Sequence, residues 1–149
     1  MKLIASVFGI GYIRKGGGTV AAAFAVLAWW LLFRHQGTTQ YLQQVILTVL
    51  VTGLGVWAGN IVERDWGKDS HRVVIDEVAG MFISILFVAP DWKWLVTGFV
   101  LFRFFDIAKP LYIRRMEVFK GGWGVMLDDI LAGIYANIIL QVIILIFNQ

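Results

Sequence analysis

The chain has 149 residues, 59% of them hydrophobic and 15% charged, with a formal net charge of +3. A soluble domain is typically about 45–50% apolar and about 25% charged, so the composition favours lipid over water as the solvent. The basic residues stand in short clusters between apolar runs, which suits an anionic bilayer surface and not nucleic acid; the absence of cysteine removes disulfides, thiol nucleophiles and thiolate metal sites.

In chain order, Lys2 precedes a short apolar run at 3–13, followed by Arg14, Lys15 and three glycines in place of a small-residue cleavage site. This predicts a retained interfacial helix. Gly16-Gly17-Gly18-Thr19 opens the next apolar segment, where backbone N–H groups can present to an anion; a plain hinge is the bland alternative. Residues 19–33, 41–62 and 130–147 are uncharged and close to the roughly 20 residues that a spanning helix needs. Residues 78–102 are broken by Pro90-Asp91-Trp92-Lys93 and read as two short helices joined by a turn. The expected fold is all-α: a polytopic membrane helical bundle of about five membrane helices plus a short N-terminal interfacial helix, as one domain over 1–149.

The cations orient this bundle. Lys2, Arg14, Lys15, Arg64, Lys68, Arg72, Lys109, Arg114, Arg115 and Lys120 share one side of a five-span topology, against Arg34 and Lys93 on the other. The rich side is expected to be cytoplasmic. The two short helices leave Asp76, Glu77, Arg103 and Asp106 at or just below that headgroup level. His35 and His71 read as solvated loop histidines.

Ionisable residues at membrane helices are costly and default to functional candidates. Asp65 and Asp69 precede Asp76-Glu77 and Ala79-Gly80, and the last pair lets another backbone come close. Arg103, Asp106 and Lys109 follow at helical spacing, so an intrahelical ion pair is available. Asp128-Asp129 open the last apolar run, with glycines on both flanks. Helix capping explains one carboxylate at each start, but not two. Hard oxygen ligands without thiolate or paired histidine select Mg²⁺ over zinc, and the adjacent basic side chains suit a phosphate. These residues together indicate metal-dependent phosphate chemistry at a membrane surface.

Val-Ile-Asp-Glu-Val-Ala-Gly-Met at 74–81, Phe-Arg-Phe-Phe-Asp-Ile-Ala-Lys-Pro at 102–110 and Gly-Gly-Trp-Gly-Val-Met-Leu-Asp-Asp-Ile-Leu-Ala-Gly at 121–133 resemble the signature blocks of the phosphatidylglycerophosphatase A family. Their order, their spacing and the N-terminal Gly-Gly-Gly-Thr-Val-Ala-Ala segment are similar too. The resemblance implies Mg²⁺-dependent hydrolysis of phosphatidylglycerophosphate to phosphatidylglycerol in a bacterial inner membrane, and the charge asymmetry above turns the site to the cytoplasm. By position it makes Asp69, Asp76, Glu77, Asp128 and Asp129 metal candidates and Asp76, Glu77, Asp106, Asp128 and Asp129 catalytic candidates. Arg103 and Lys109 become phosphate-binding candidates, beside Gly18 and Thr19 of the glycine run as substrate-binding candidates. Where family members often carry proline, this chain has Arg14, Lys15 and Gly17, and Ser70-His71 after Asp69.

Two routes remain open: a water activated by a carboxylate base, or an aspartyl-phosphate on Asp128 or Asp129. The rival from another class is a cation or proton transporter with interfacial carboxylates. It would place acids near the midplane and on both sides, whereas here only Asp91 lies opposite the rest.

Overall fold

The computed structural model describes residues 1–35, 40–67, 70–110, 112–119 and 121–147. The described residues form six α-helices and two 3₁₀ turns, with no strand among them: α1 (Lys2–Ala5), a 3₁₀ turn (Ile10–Tyr12), α2 (Gly17–Phe33), α3 (Gln40–Trp66), α4 (Ile75–Ser84), α5 (Trp92–Ala108), a second 3₁₀ turn (Ile113–Val118) and α6 (Gly121–Phe147). α6 lies against α3, α4 and α5, and α2 covers the remaining side of α4 and α5.

The burial pattern is that of a protein in lipid. Val20, Phe24, Leu27 and Leu31 run down the outside of α2, and Val96, Val100, Phe104 and Ile107 down the outside of α5, all exposed. Such continuous apolar stripes on several helices mark a lipid-facing surface. Small residues lie inside instead: Ala21, Ala22 and Ala25 on α2, Ala58 on α3, Ala79 on α4, and Ala132 and Ala136 on α6 are fully buried. Membrane helices associate by such close contact, because lipid removes the hydrophobic drive between them.

The expectation of five crossings is met only in part. α3 and α6, at 27 residues each, are long and apolar enough to cross a membrane. α2 and α5 have 17 residues each, about 25 Å of rise, but α4 has 10, about 15 Å against a hydrocarbon core of roughly 30 Å.

The break between α4 and α5 also falls earlier than expected. α4 stops at Ser84, whose hydroxyl donates back to the Met81 carbonyl at 2.8 Å, well ahead of Pro90. Trp92 and Lys93 belong to α5, capped by Asp91, which accepts the Lys93 N–H at 2.8 Å. The backbone freed by this break is satisfied by side chains. Gln44 Oε1 accepts the Phe87 N–H at 3.1 Å, and Asn137 Nδ2 donates to the Ser84 and Leu86 carbonyls at 3.1 and 2.9 Å. Irregular backbone at membrane depth requires such partners.

The N-terminal run is not one interfacial helix. α1 ends after four residues, Val7 and Phe8 take positive φ, and the Val74 N–H donates to the Ala5 carbonyl at 2.9 Å, fastening the segment to the residue that precedes α4. α3 runs on to Trp66, so Glu63, Arg64 and Asp65 are helical and not loop residues.

Candidate metal and phosphate site

Asp76 and Glu77 occupy the first turn of α4, as the sequence suggested. Asp128 and Asp129 do not start a helix: α6 begins at Gly121, which leaves both aspartates two turns inside it. Capping of the helix start therefore explains neither of them. One carboxylate oxygen each from Asp76, Glu77 and Asp129 lie within 4.8 Å of one another.

Close backbone approach brings them together. A Cβ on Gly80 would stand 2.6 Å from the Asp129 carbonyl oxygen, and a Cβ on Gly133 would overlap the Gly80 carbonyl, so α4 and α6 cross with almost nothing between them. A Cβ on Gly18 would likewise overlap Glu77 Oε1. The glycine run that opens α2 thus accommodates a carboxylate of the cluster.

Two cations flank the acids. Arg103 Nη1 donates to Asp106 Oδ2 at 2.5 Å in a largely buried intrahelical pair on the last turns of α5. Asp106 in turn lies close to Asp129, and both Asp106 and Arg103 are within electrostatic reach of Glu77. Lys109, the left-handed residue that ends α5 at φ 43°, reaches Asp128 Oδ2 at 2.6 Å. A half-open cavity of about 300 Å³ lies over these groups, with Ser70, His71, Asp76, Glu77, Lys109 and Asp128 on its wall.

Asp76, Glu77, Lys109 and Asp128 therefore face the cavity. Asp129, Asp106 and Arg103 stand behind them as neighbours of Glu77. Gly18 touches Glu77, Thr19 is exposed on the first turn of α2, and Asp69 lies outside the described residues. His71, expected in open solvent, is exposed but belongs to the cavity wall. Asn60 was missed altogether: its Oδ1 accepts the Gly122 N–H at 2.7 Å and holds the start of α6 on α3. An uncharged polar residue within an apolar run was the available signal.

The residues fit a hard divalent cation. Asp76 Oδ1, Glu77 Oε2 and Asp128 Oδ1 are buried and have no hydrogen-bond partner among the described residues, and a buried carboxylate oxygen left so is costly. Like charges this close repel, and burial adds a desolvation cost; a bound cation relieves both. The donors are all oxygens, as magnesium or calcium prefers. The buried Arg103 Nε, also without a partner, offers a donor to an anion.

An apolar exterior around such a cavity defines a helical membrane protein equipped to hold a cation beside a phosphate-like anion. The family model for phosphatidylglycerophosphatase A matches residues 3–144. A Bacteroides thetaiotaomicron protein provisionally named phosphatidylinositol-3-phosphatase is 46% identical over 145 residues, covering 94% of this chain and 91% of the relative. The phosphatidylglycerophosphatase A proteins of Haemophilus influenzae and Escherichia coli are 37% and 34% identical, covering 93% and 95% of this chain and 85% and 81% of the relatives. No solved structure matches. The chain belongs to the phosphatidylglycerophosphatase A family, and it is a phosphoric monoester hydrolase.

Proposed function

We propose that this enzyme hydrolyses the terminal phosphate monoester of phosphatidylglycerophosphate to give phosphatidylglycerol, with Mg²⁺ as its metal. The observation that carries the reading is the convergence of Asp76, Glu77 and Asp129 beside Arg103 and Lys109. Asp76, Glu77 and Asp129 would hold the ion, with Asp69 a further ligand. The ion would supply Lewis-acid polarisation of the phosphoryl group and charge neutralisation.

The chain's own groups do the rest. Arg103, anchored through one nitrogen to Asp106, keeps other guanidinium donors for the phosphate. Lys109 contributes a point charge at the cavity wall. Asp128, held by Lys109 through Oδ2, accepts the proton of the attacking water. The phosphorus–oxygen bond to the glycerol breaks, and the departing oxygen takes up the proton that Asp128 accepted. Gly18 admits Glu77 to the cluster.

In this reading the protein crosses a bacterial inner membrane several times with its cavity on the cytoplasmic side, where most of the lysines and arginines gather. About 18 Å of helix rise separates Gly18 from Trp30, where Trp30 stacks against Trp92 at 5.2 Å and carries Arg34 at 4.4 Å. In the same reading, an aromatic belt at that level would leave the acids below the cytoplasmic headgroups, with the phosphate at the cavity mouth.

The Bacteroides relative's name favours phosphatidylinositol 3-phosphate as a second candidate. Turnover of both lipids by the purified protein in mixed micelles decides between them: a kcat/KM larger for phosphatidylglycerophosphate supports the first, and the reverse order replaces it.

A further inference from the structure

An apolar groove of about 190 Å³ runs between α2 and α5, walled by Ala23, Val26 and Leu27 on one side and by Trp92, Val96 and Phe99 on the other. Trp92, Val96, Phe99 and Arg103 recur at helical spacing and so share one face of α5. That face of α5 thus runs from the Trp30–Trp92 stack past the groove to Arg103, one turn beyond Phe99, over about 16 Å of helix. Leu27, Trp92 and Val96 are each close to half exposed, so its length is open to lipid.

We infer that this groove seats one acyl chain of the lipid substrate, an assignment that rests on the phosphatase reading above. An amphiphile with an anionic head and a long apolar tail matches a groove that is apolar along its length and followed, one turn further along α5, by a guanidinium. Lipid tails are as apolar as the groove wall, so burial contributes little to affinity. The groove instead fixes where the headgroup sits, and positioning of that kind controls rate. A larger apolar groove lies between α3, α4 and α6, from Thr48 to Trp123. The face of α3 that walls it, with Thr52 and Val56, continues at helical spacing to Asn60 and Glu63, an acid that repels a phosphate.

The experiment compares long-chain phosphatidylglycerophosphate with its dihexanoyl analogue, whose tails stop short of Val96. Val96→Trp fills the groove from a lipid-facing position, and Leu27→Trp fills it from the opposite wall. Gly53→Trp, at a glycine with open space beside it, fills the other groove. Either of the first two should lower kcat/KM for the long-chain lipid about tenfold and leave the dihexanoyl lipid within about twofold, while Gly53→Trp changes neither. Unchanged long-chain turnover in both Val96→Trp and Leu27→Trp overturns the assignment, as does chain-length selectivity produced by Gly53→Trp alone. Failure of the unsubstituted protein to release phosphate from either lipid removes the phosphatase reading, and the groove assignment with it.

Discussion

Lys109 Nζ and Asp128 Oδ2 stand 2.6 Å apart and join the end of α5 to the third turn of α6 across the cavity wall, with both side chains at least three-quarters buried. The pair is structural and chemical at once, because it ties two helices together while leaving Asp128 Oδ1 without a hydrogen-bond partner among the described residues.

Lys109→Met leaves a buried carboxylate uncompensated and is expected to lower stability by about 2–4 kcal/mol and turnover by at least about a hundredfold. Lys109→Met combined with Asp128→Asn should recover most of the stability and none of the activity. Thermal unfolding in detergent beside phosphate release measures both; recovered activity in the double variant would assign the pair a purely structural role.

Gly18→Ala introduces a Cβ where Glu77 Oε1 lies. The carboxylate must move, so turnover should fall about tenfold to a hundredfold and the Mg²⁺ concentration for half-maximal rate should rise. Thr19→Ala, on the exposed neighbour, is the comparison expected to keep wild-type metal dependence. A Mg²⁺ titration of activity reads both.

Gln44→Leu removes the acceptor of the Phe87 N–H at the break after α4. An unsatisfied donor at a part-buried site costs at most about 1–3 kcal/mol, so the melting temperature should drop while kcat, set at Asp76 about 12 Å away along α4, stays near wild type. Asn137→Leu, which strips two carbonyls of their donor, is expected to do the same more severely.

A cation bound among Asp76, Glu77 and Asp129 stabilises the folded protein in proportion to its occupancy. Mg²⁺ at about a hundredfold over its Kd should add about 2.7 kcal/mol, seen as a rise in melting temperature without substrate. Asp76→Asn and Glu77→Gln should each abolish most of that rise. A metal-independent melting temperature in the unsubstituted protein argues against a cation at this cluster.

Much of this was legible in the sequence, for reasons that also explain what was not. Apolar runs free of charge locate α2, α3 and α6, because lipid tolerates no charge on an outward face. Their ends were misjudged where polar residues continue a helix: Glu63, Arg64 and Asp65 extend α3, and α6 starts at Gly121 because Asn60, more than sixty residues earlier, holds its first turn. The early end of α4 was hidden because it depends on Ser84 turning back on Met81 and on Gln44 and Asn137 from other helices, none of them local signals. The acidic residues announced themselves by the cost of placing them in an apolar chain. Which of them meet was decided by the crossing at Gly80 and Gly133, and the place of His71 by a loop whose path the sequence does not encode in any short pattern.

The most direct test is release of inorganic phosphate from phosphatidylglycerophosphate by the purified protein, with Mg²⁺ and with EDTA, for the unsubstituted chain and for Asp129→Asn. Phosphate release that requires Mg²⁺, stops with EDTA and is lost in a folded Asp129→Asn protein is the expected result. Undiminished release in EDTA, or full turnover by Asp129→Asn, would contradict a metal-dependent phosphatase centred on Asp76, Glu77 and Asp129.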